Sequence, residues 1–461
     1  MSSSAEAARR ELQPSFAGTL IAPDDPGYSE ARIVYNAMID RRPALIARPR
    51  NTGDVSRAVG FAAGHDLPLA VRGGGHSGPG FGVVDDAMIV DLSLLKSIVV
   101  DADARTAVVG GGCTWGEVDA ATHEHGLATV SGIVSTTGVG GLTLGGGHGY
   151  LTRKHGLTID NLLAAEMVLA NGEVVTASAD ENPDLFWAIR GGGGNFGIVT
   201  SFVFRLHPVG IVTGGVVLWP FEFTAEVMRW YREFLPHAPR ELNGWLGLHT
   251  VPPGPPFPTE LHLREVAFST WCHAGPPEEA EKALAPVREL GPPLLYGVQE
   301  MPYPALQRAF DDFYCPGLQW YWRHDFVREL PDEAIERHVE FGKRRPTLHS
   351  TMHLYPVDGA VHDTGPTDTP FRHRDALWSQ VIVGVDPDPS KVDELRSFAV
   401  EYWEALHPYA AGGSYVNMSM EEGSERVRLS YGENYERLSR IKSQVDPDNL
   451  FRANQNIPPA G

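Results

Sequence analysis

Of the chain's 50 glycines, 19 fall in the stretch from Gly73 to Gly149. Without a Cβ, a glycine backbone can approach a ligand or another backbone closely, and successive N–H groups can point at one anion. The excess is gathered in clusters. The first is Arg72-Gly73-Gly74-Gly75-His76-Ser77, after an apolar run. The second is Gly138-Val-Gly140-Gly141-Leu-Thr-Leu-Gly145-Gly146-Gly147-His148-Gly149, and the third is Gly191–Gly194 with Gly197. Alone, the first reads equally well as a tight turn with a surface histidine. A flexible loop accounts for one cluster but not for all of them, and together they predict a cradle for a large diphosphate cofactor. The spacing gives neither a clean G-x-G-x-x-G nor G-x-x-x-x-G-K-[S/T], so the dinucleotide fingerprint and the P-loop are excluded.

Around the clusters the pattern alternates. Short strands are expected at Ala44–Ala47 and Leu67–Val71, a helix at Asp54–Ala63, and a hairpin of Ile98–Val100 with Ala107–Val109. Thr114-Trp-Gly-Glu117 has capping-box spacing and should open a helix that stops near Gly126. Asn171-Gly172 marks a second hairpin. Pro183–Arg190 reads as a helix and Ile198–Leu206 as a strand. After about residue 210 glycine thins and prolines and aromatics rise, which marks a domain boundary. Beyond it the clearest helices are Pro277–Leu290, Asp332–Lys343 and Lys391–Leu406, and Val251–Pro258 is a proline-rich loop. The class is α+β.

The 461 residues suggest two or three domains at ~150 each. A net charge of −20 disfavours nucleic acid and anionic membranes as partners. No apolar run approaches the ~18 residues of a membrane span, and Arg9-Arg10 has no apolar stretch behind it, so no secretory signal is expected. Cys113, Cys272 and Cys315 are too few and too scattered for a disulfide framework or a zinc site, and a cytoplasmic protein is expected. His123-x-His125 is too close for one helical face and no H-E-x-x-H occurs, so no metal is expected. Trp320-Tyr321-Trp322 reads as core packing rather than a cofactor stack.

These motifs, in this order, resemble the FAD-linked oxidases of the berberine-bridge-enzyme-like family, within the vanillyl-alcohol oxidase/p-cresol methylhydroxylase superfamily. The matching pieces include Arg72–Ser77, Val90-Asp-Leu-Ser93, the 138–149 run, Asp184–Val199, Tyr415-Val-Asn417, Tyr431–Tyr435, Asp446–Phe451 and Asn454-Gln-Asn-Ile457. They span nearly the whole chain, with a loose middle third, and look most like bacterial members with a singly tethered flavin. The resemblance implies a two-domain, PCMH-type FAD-binding fold. The FAD domain would be residues 1–208, with its core at 40–208. An antiparallel-sheet substrate domain would span 209–415, and 416–461 would return to the FAD domain. It implies that His76 bonds to the flavin 8α-methyl. Val134 stands where many relatives carry a second tethering cysteine, so FAD would be attached through His76 only. By the same resemblance the cofactor contacts are Arg72, Gly73, Gly74, Gly75, Ser77, Gly132, Thr136, Thr137, Gly140, Gly141, Gly145, Gly149, Tyr150, Gly197, Ile198, Val199, Asn454 and Asn456. Thr137 falls where relatives line the oxygen pocket, many of them with valine.

Tyr415 matches the family's catalytic tyrosine. If 413–418 is a strand, Tyr415 and Asn417 face one side about 6.8 Å apart. From the residues alone Tyr415 reads as a half-buried strand tyrosine. As a base its pKa, near 10, would have to be lowered by a neighbour. Alternation in Thr351-Met-His353-Leu-Tyr355 puts His353 on one face with Thr351 and Tyr355, and His353 falls where relatives carry an acidic or tyrosine residue. His249 and Gln380 are further pocket candidates. The implied activity is an oxidase. Hydride from an alcohol, sugar, amine or phenolic small molecule would pass to the flavin, with Tyr415 as base assisted by His353 and Asn417, and molecular oxygen would return as hydrogen peroxide. Oxidative tailoring of a polyketide-like molecule, a dehydrogenase with another electron acceptor, and a flavin carrier without turnover are the alternatives.

Overall fold

A computed structural model describes residues 3–461. Its first half holds two main sheets and a two-stranded ribbon of Leu127–Ala128 with His207–Pro208. In the smaller, strands run in the order Thr19–Ile21, Leu45–Arg48, Met88–Asp91, Leu69–Arg72. The last three are parallel, and their side chains are almost wholly buried, as expected for strands covered on both faces. Helix Thr52–Gly64 connects two of these strands and is capped by the Asn51 side chain, which accepts from the Asp54 N–H. The second sheet is antiparallel, in the order Ile98–Asp101, Thr106–Gly110, Ile198–Arg205, Leu162–Val168, Val174–Ser178. The capping box forms at Thr114 and Glu117, opening helix Trp115–His123.

From residue 211 onward the architecture changes. An antiparallel sheet runs Leu295–Tyr296, Ile211–Pro220, Glu265–His273, Leu242–Thr250, Thr351–Pro356, Trp378–Asp386, Gln319–Val327, and Gln299–Pro302 pairs to one side of Ile211–Pro220. Helices Thr224–Phe234, Asp332–Gly342 and Val392–Leu406 bury their apolar stripes within its core. The mixture of parallel and antiparallel sheets with helices is the α+β class.

The strand expected at 413–418 is absent. Tyr415 is extended and Val416–Met418 forms a single 3-10 turn, closed by the Met418 N–H bonding back to the Tyr415 carbonyl. Gly412 and Gly413, both at positive φ, turn the chain just before it. The tail then packs far from its neighbours in sequence: Val427, Tyr431, Leu438, Ile441 and Ile457 share a core with Trp187, Phe196 and Phe202. Lys442 secures this join. Its ammonium, fully buried, donates to Asp446 at 2.5 Å, to the Asn195 carbonyl at 2.7 Å and to the Phe451 carbonyl at 3.0 Å. Asp446 also accepts the Leu450 and Phe451 N–H groups. Lys442→Met leaves that carboxylate buried without its cation and is expected to cost about 3–5 kcal/mol in urea denaturation, part of which Lys442→Met/Asp446→Asn recovers.

Candidate active site

The glycine-rich segments, the tail and one face of the large sheet enclose a cavity of about 370 Å³, within the range of a small-molecule or cofactor site. Gly73–Gly75 and Gly138–Gly141 form one wall, Gly193, Gly194 and Gly197 another, and Asn454 and Gln455 of the tail close that end. Two of these glycines have a steric reason. A Cβ on Gly74 would lie 2.6 Å from the Gly138 Cα, and one on Gly138 would lie 2.7 Å from the Gly74 Cα. The two loops meet backbone to backbone.

His76 lies where the two halves of the chain meet. Its ring stacks on Tyr35 with centroids 4.2 Å apart, and its Nε2 is 3.1 Å from Thr136 Oγ1. The ring is open on the cavity side but crowded by protein elsewhere, and that loss of water pulls its pKa down to about 4. It is neutral at pH 7, with a lone pair available. Arg72 lines the cavity as an ion pair, donating to Asp91 at 2.6 Å; Asp91 also accepts from Arg48. Among the described residues no Asp, Glu or Lys side chain lines the cavity.

Tyr415 also lines the cavity, beside the end of the second glycine cluster. Its hydroxyl oxygen accepts the Gly147 N–H at 2.8 Å and an Asn417 Nδ2–H at 2.8 Å. These bonds favour the phenolate, but burial outweighs them and pushes Tyr415 up to about 12. Burial thus leaves Tyr415 a protonated phenol at neutral pH. Tyr415 and Asn417 do face each other, through the 3-10 turn rather than a strand. His353 is also fully enclosed, and burial lowers it to about 3. Its Nδ1 lies 2.7 Å from the Tyr355 hydroxyl, and its Nε2 lies 3.0 Å from Thr351 Oγ1 and 3.1 Å from the Tyr314 hydroxyl. Thr351 spends its own hydrogen on the Leu248 carbonyl, so it accepts from His353 Nε2–H. Nδ1 is therefore the bare nitrogen, and Tyr355 donates to it.

Two polar atoms at the glycine end are buried without a protein partner, Tyr431 Oη and Asn454 Oδ1, and both residues line the cavity. Unpaired groups of this kind are costly and mark where a ligand completes the bonding. The long glycine cradle, these unpaired atoms and the neutral histidine fit FAD.

A family model described as an FAD binding domain matches residues 43–178, and one described as berberine and berberine-like matches residues 414–458. An uncharacterised FAD-linked oxidoreductase of Bacillus subtilis is 32% identical over 455 residues, covering 96% of this chain and 97% of its own. The chain belongs to the berberine-bridge-enzyme-like FAD-linked oxidoreductases. Another relative of this FAD-linked family, (R)-6-hydroxynicotine oxidase of Paenarthrobacter nicotinovorans, is 32% identical over 97% of this chain and 98% of its own. Xylooligosaccharide oxidase from Myceliophthora thermophila, solved with xylobiose, superposes over the full length of both chains with a TM-score of 0.86 at 26% identity.

Of the residues expected at the cofactor, Arg72, Gly73, Gly74, Gly75, His76, Ser77, Gly132, Thr137, Gly140, Gly141, Gly197, Ile198, Val199 and Asn454 line the cavity, as do Tyr415, His353 and Asn417. Others stand back from it. Thr136 reaches only His76. Gly145 packs under the Asn417 amide, and Gly149 packs on the Ser131 carbonyl. Tyr150 is buried in the core of the large sheet, and Asn456 stays off the wall that its neighbours Asn454 and Gln455 line. Gln380 sits on the sheet face opposite Val381, which lines the cavity, while His249 packs against Phe268 and Phe313. Trp320 and Trp322 pack in the core as expected, and both also line the cavity.

The residue pattern did not single out Tyr35, His148 or Tyr314, nor the group that supports the loop around Thr137. There Ser135 donates to Asp311 through N and Oγ, and Gln307 Nε2 donates to the Gly132 carbonyl and to Asp119, each at 3.0 Å. Burial raises the Asp119 carboxyl from 3.8 to about 7. The folded state thus binds an extra proton between those values. This group's stabilisation is present below pH 3.8 and is lost as pH rises through 7, at up to ~1.4 kcal/mol per pH unit. Thermal unfolding from pH 4 to 8 should fall less steeply in Asp119→Asn than in the unaltered protein.

Proposed function

We propose that this protein is an FAD-dependent oxidase with the flavin attached at His76 alone, acting on an uncharged alcohol, sugar, amine or phenolic small molecule. The observation that carries the reading is a neutral His76 ring beside a glycine cradle, in one cavity with a buried tyrosine hydroxyl held by two N–H donors. When bound, FAD would supply the two-electron acceptor for hydride, with molecular oxygen as the terminal acceptor and hydrogen peroxide as the product. Val134, on the cavity wall, has no thiol for a second attachment. The three cysteines are free, which fits a cytoplasmic location. The domain division proposed is 1–208 for the cofactor, 209–415 for the substrate and 416–461 as a closing segment.

Tyr415 begins protonated. Its oxygen already accepts from Gly147 and Asn417, so its own hydrogen is free to hold the reacting heteroatom of the substrate. Loss of hydride from the adjoining carbon makes that heteroatom's proton strongly acidic, and the two N–H bonds to Tyr415 then stabilise the charge its oxygen shares. Tyr355, donating to His353 Nδ1, offers an exit: it can accept a proton while passing its own to His353. Tyr314, Trp320 and Trp322 give this end aromatic walls and exclude water.

Tyr415→Phe is expected to keep the flavin spectrum and slow anaerobic bleaching by substrate about 10²–10⁴-fold. Asn417→Leu should slow it less. The assay is stopped-flow absorbance after a peroxide-release screen of alcohols, sugars, amines and phenols. Unchanged bleaching in Tyr415→Phe overturns the role. A second reading rests on Thr137, whose hydroxyl lines the cavity where many oxidases carry valine: electrons would pass to another acceptor, and slow reoxidation in air would decide for it.

A further inference from the structure

His148 follows Gly147 in the second glycine cluster, lines the cavity, and has no part in the chemistry proposed above. Its Nε2 lies 3.2 Å from Ser379 Oγ, which lies 2.8 Å from His324 Nε2. His324 Nδ1 in turn lies 3.0 Å from the backbone nitrogen of Tyr415. Both rings and the serine are buried. Burial without a nearby anion holds His148 down near 4 and His324 well below its ordinary value, so each ring carries one proton.

The direction of this chain is fixed at one end. A backbone N–H only donates, so His324 Nδ1 accepts; Ser414 Oγ, 3.4 Å away, reaches the same nitrogen. The His324 proton must then be on Nε2, donated to Ser379. The Ser379 hydrogen is left for His148 Nε2, so the proton of His148 is on Nδ1. That nitrogen has no protein partner among the described residues. The His148 ring lies 5.1 Å from the Tyr415 ring and 5.3 Å from that of Tyr355, both on the cavity wall.

We infer that a relay running from the Tyr415 backbone through His324 and Ser379 locks His148 as an Nδ1–H donor into the cavity, so that His148 and Tyr415 together grip one lone-pair oxygen of an uncharged aromatic substrate. The ligand class rests on the proposed small-molecule reading; the tautomer does not. Two donors on one oxygen suit a hydroxyl or carbonyl and repel an ammonium, and among the described residues no carboxylate lines the cavity to pair with a cation. The unpartnered Trp320 and Trp322 indole N–H groups add to this bias toward acceptors.

The test is a long-range proton–nitrogen correlation spectrum of the ¹⁵N-histidine-labelled holoenzyme at pH 7, with His148→Phe to assign the resonance. His148 should show a protonated Nδ1 and a bare Nε2. Ser379→Ala should lose that preference and Ser379→Thr should keep it. Acetophenone, a neutral aromatic acceptor, should bind and shift the His148 Nδ1 signal; benzylammonium should not. His148→Phe should weaken acetophenone about tenfold, or ~1.4 kcal/mol. A protonated Nε2 at His148, or an Nδ1–H that persists unchanged in Ser379→Ala, overturns the relay. Binding of benzylammonium, or of neither probe, overturns the ligand class. If the protein proves to hold no flavin, the same spectrum of the flavin-free protein still reads the tautomer, so the two failures are separable.

Discussion

The close approach of Gly74 and Gly138 is the contact on which the site depends. It brings the turn after one parallel strand against the start of the second glycine run, with no room for a Cβ on either side. Because the loops touch there, His76 is carried to the cavity mouth and Thr136 and Thr137 are carried beside it. Gln307 and Asp311 hold the far side of the same loop, so residues near 307–311, remote in sequence, position the cavity-facing backbone. The tail is tied in by Lys442, which bridges Asn195 and Phe451 and so brings Asn454 to the cradle.

A second theme is neutrality. His76, His148 and His353 all line the cavity, and each is stripped of water enough to stay neutral, with a single N–H, at pH 7. Tyr415 stays protonated for the same reason. Arg72 is matched by Asp91. Such a site works by placing lone pairs and N–H or O–H donors rather than by presenting full charges, and hydrogen bonds in it are strong because water is excluded.

Much of this was legible in the sequence where backbone chemistry dictates it. Glycine clusters, the capping box at Thr114 and the hairpin at Asn171-Gly172 act locally, and the elements formed close to where these signals place them. The 413–418 segment misled because its alternation resembles a strand, whereas Gly412 and Gly413 turn the chain and Met418 closes it on itself. Gln380 and Val381 show a related limit: alternation separates the faces of a strand but does not say which face meets the cavity. Tyr35 carried no signal at all, because its partner His76 is brought to it only by the tertiary fold. Asp119 was equally silent, since a lone carboxylate on a helix looks exposed until Gln307 covers it.

The central claim, that His76 is the single attachment point for the flavin, is tested most directly by acid denaturation. The protein is precipitated, washed, and examined by visible spectrum and intact mass. A single His76 tether gives a yellow pellet whose mass exceeds that of the chain by one FAD, and a colourless pellet from His76→Ala. A colourless pellet from the unaltered protein, or one FAD still attached in His76→Ala, would contradict it.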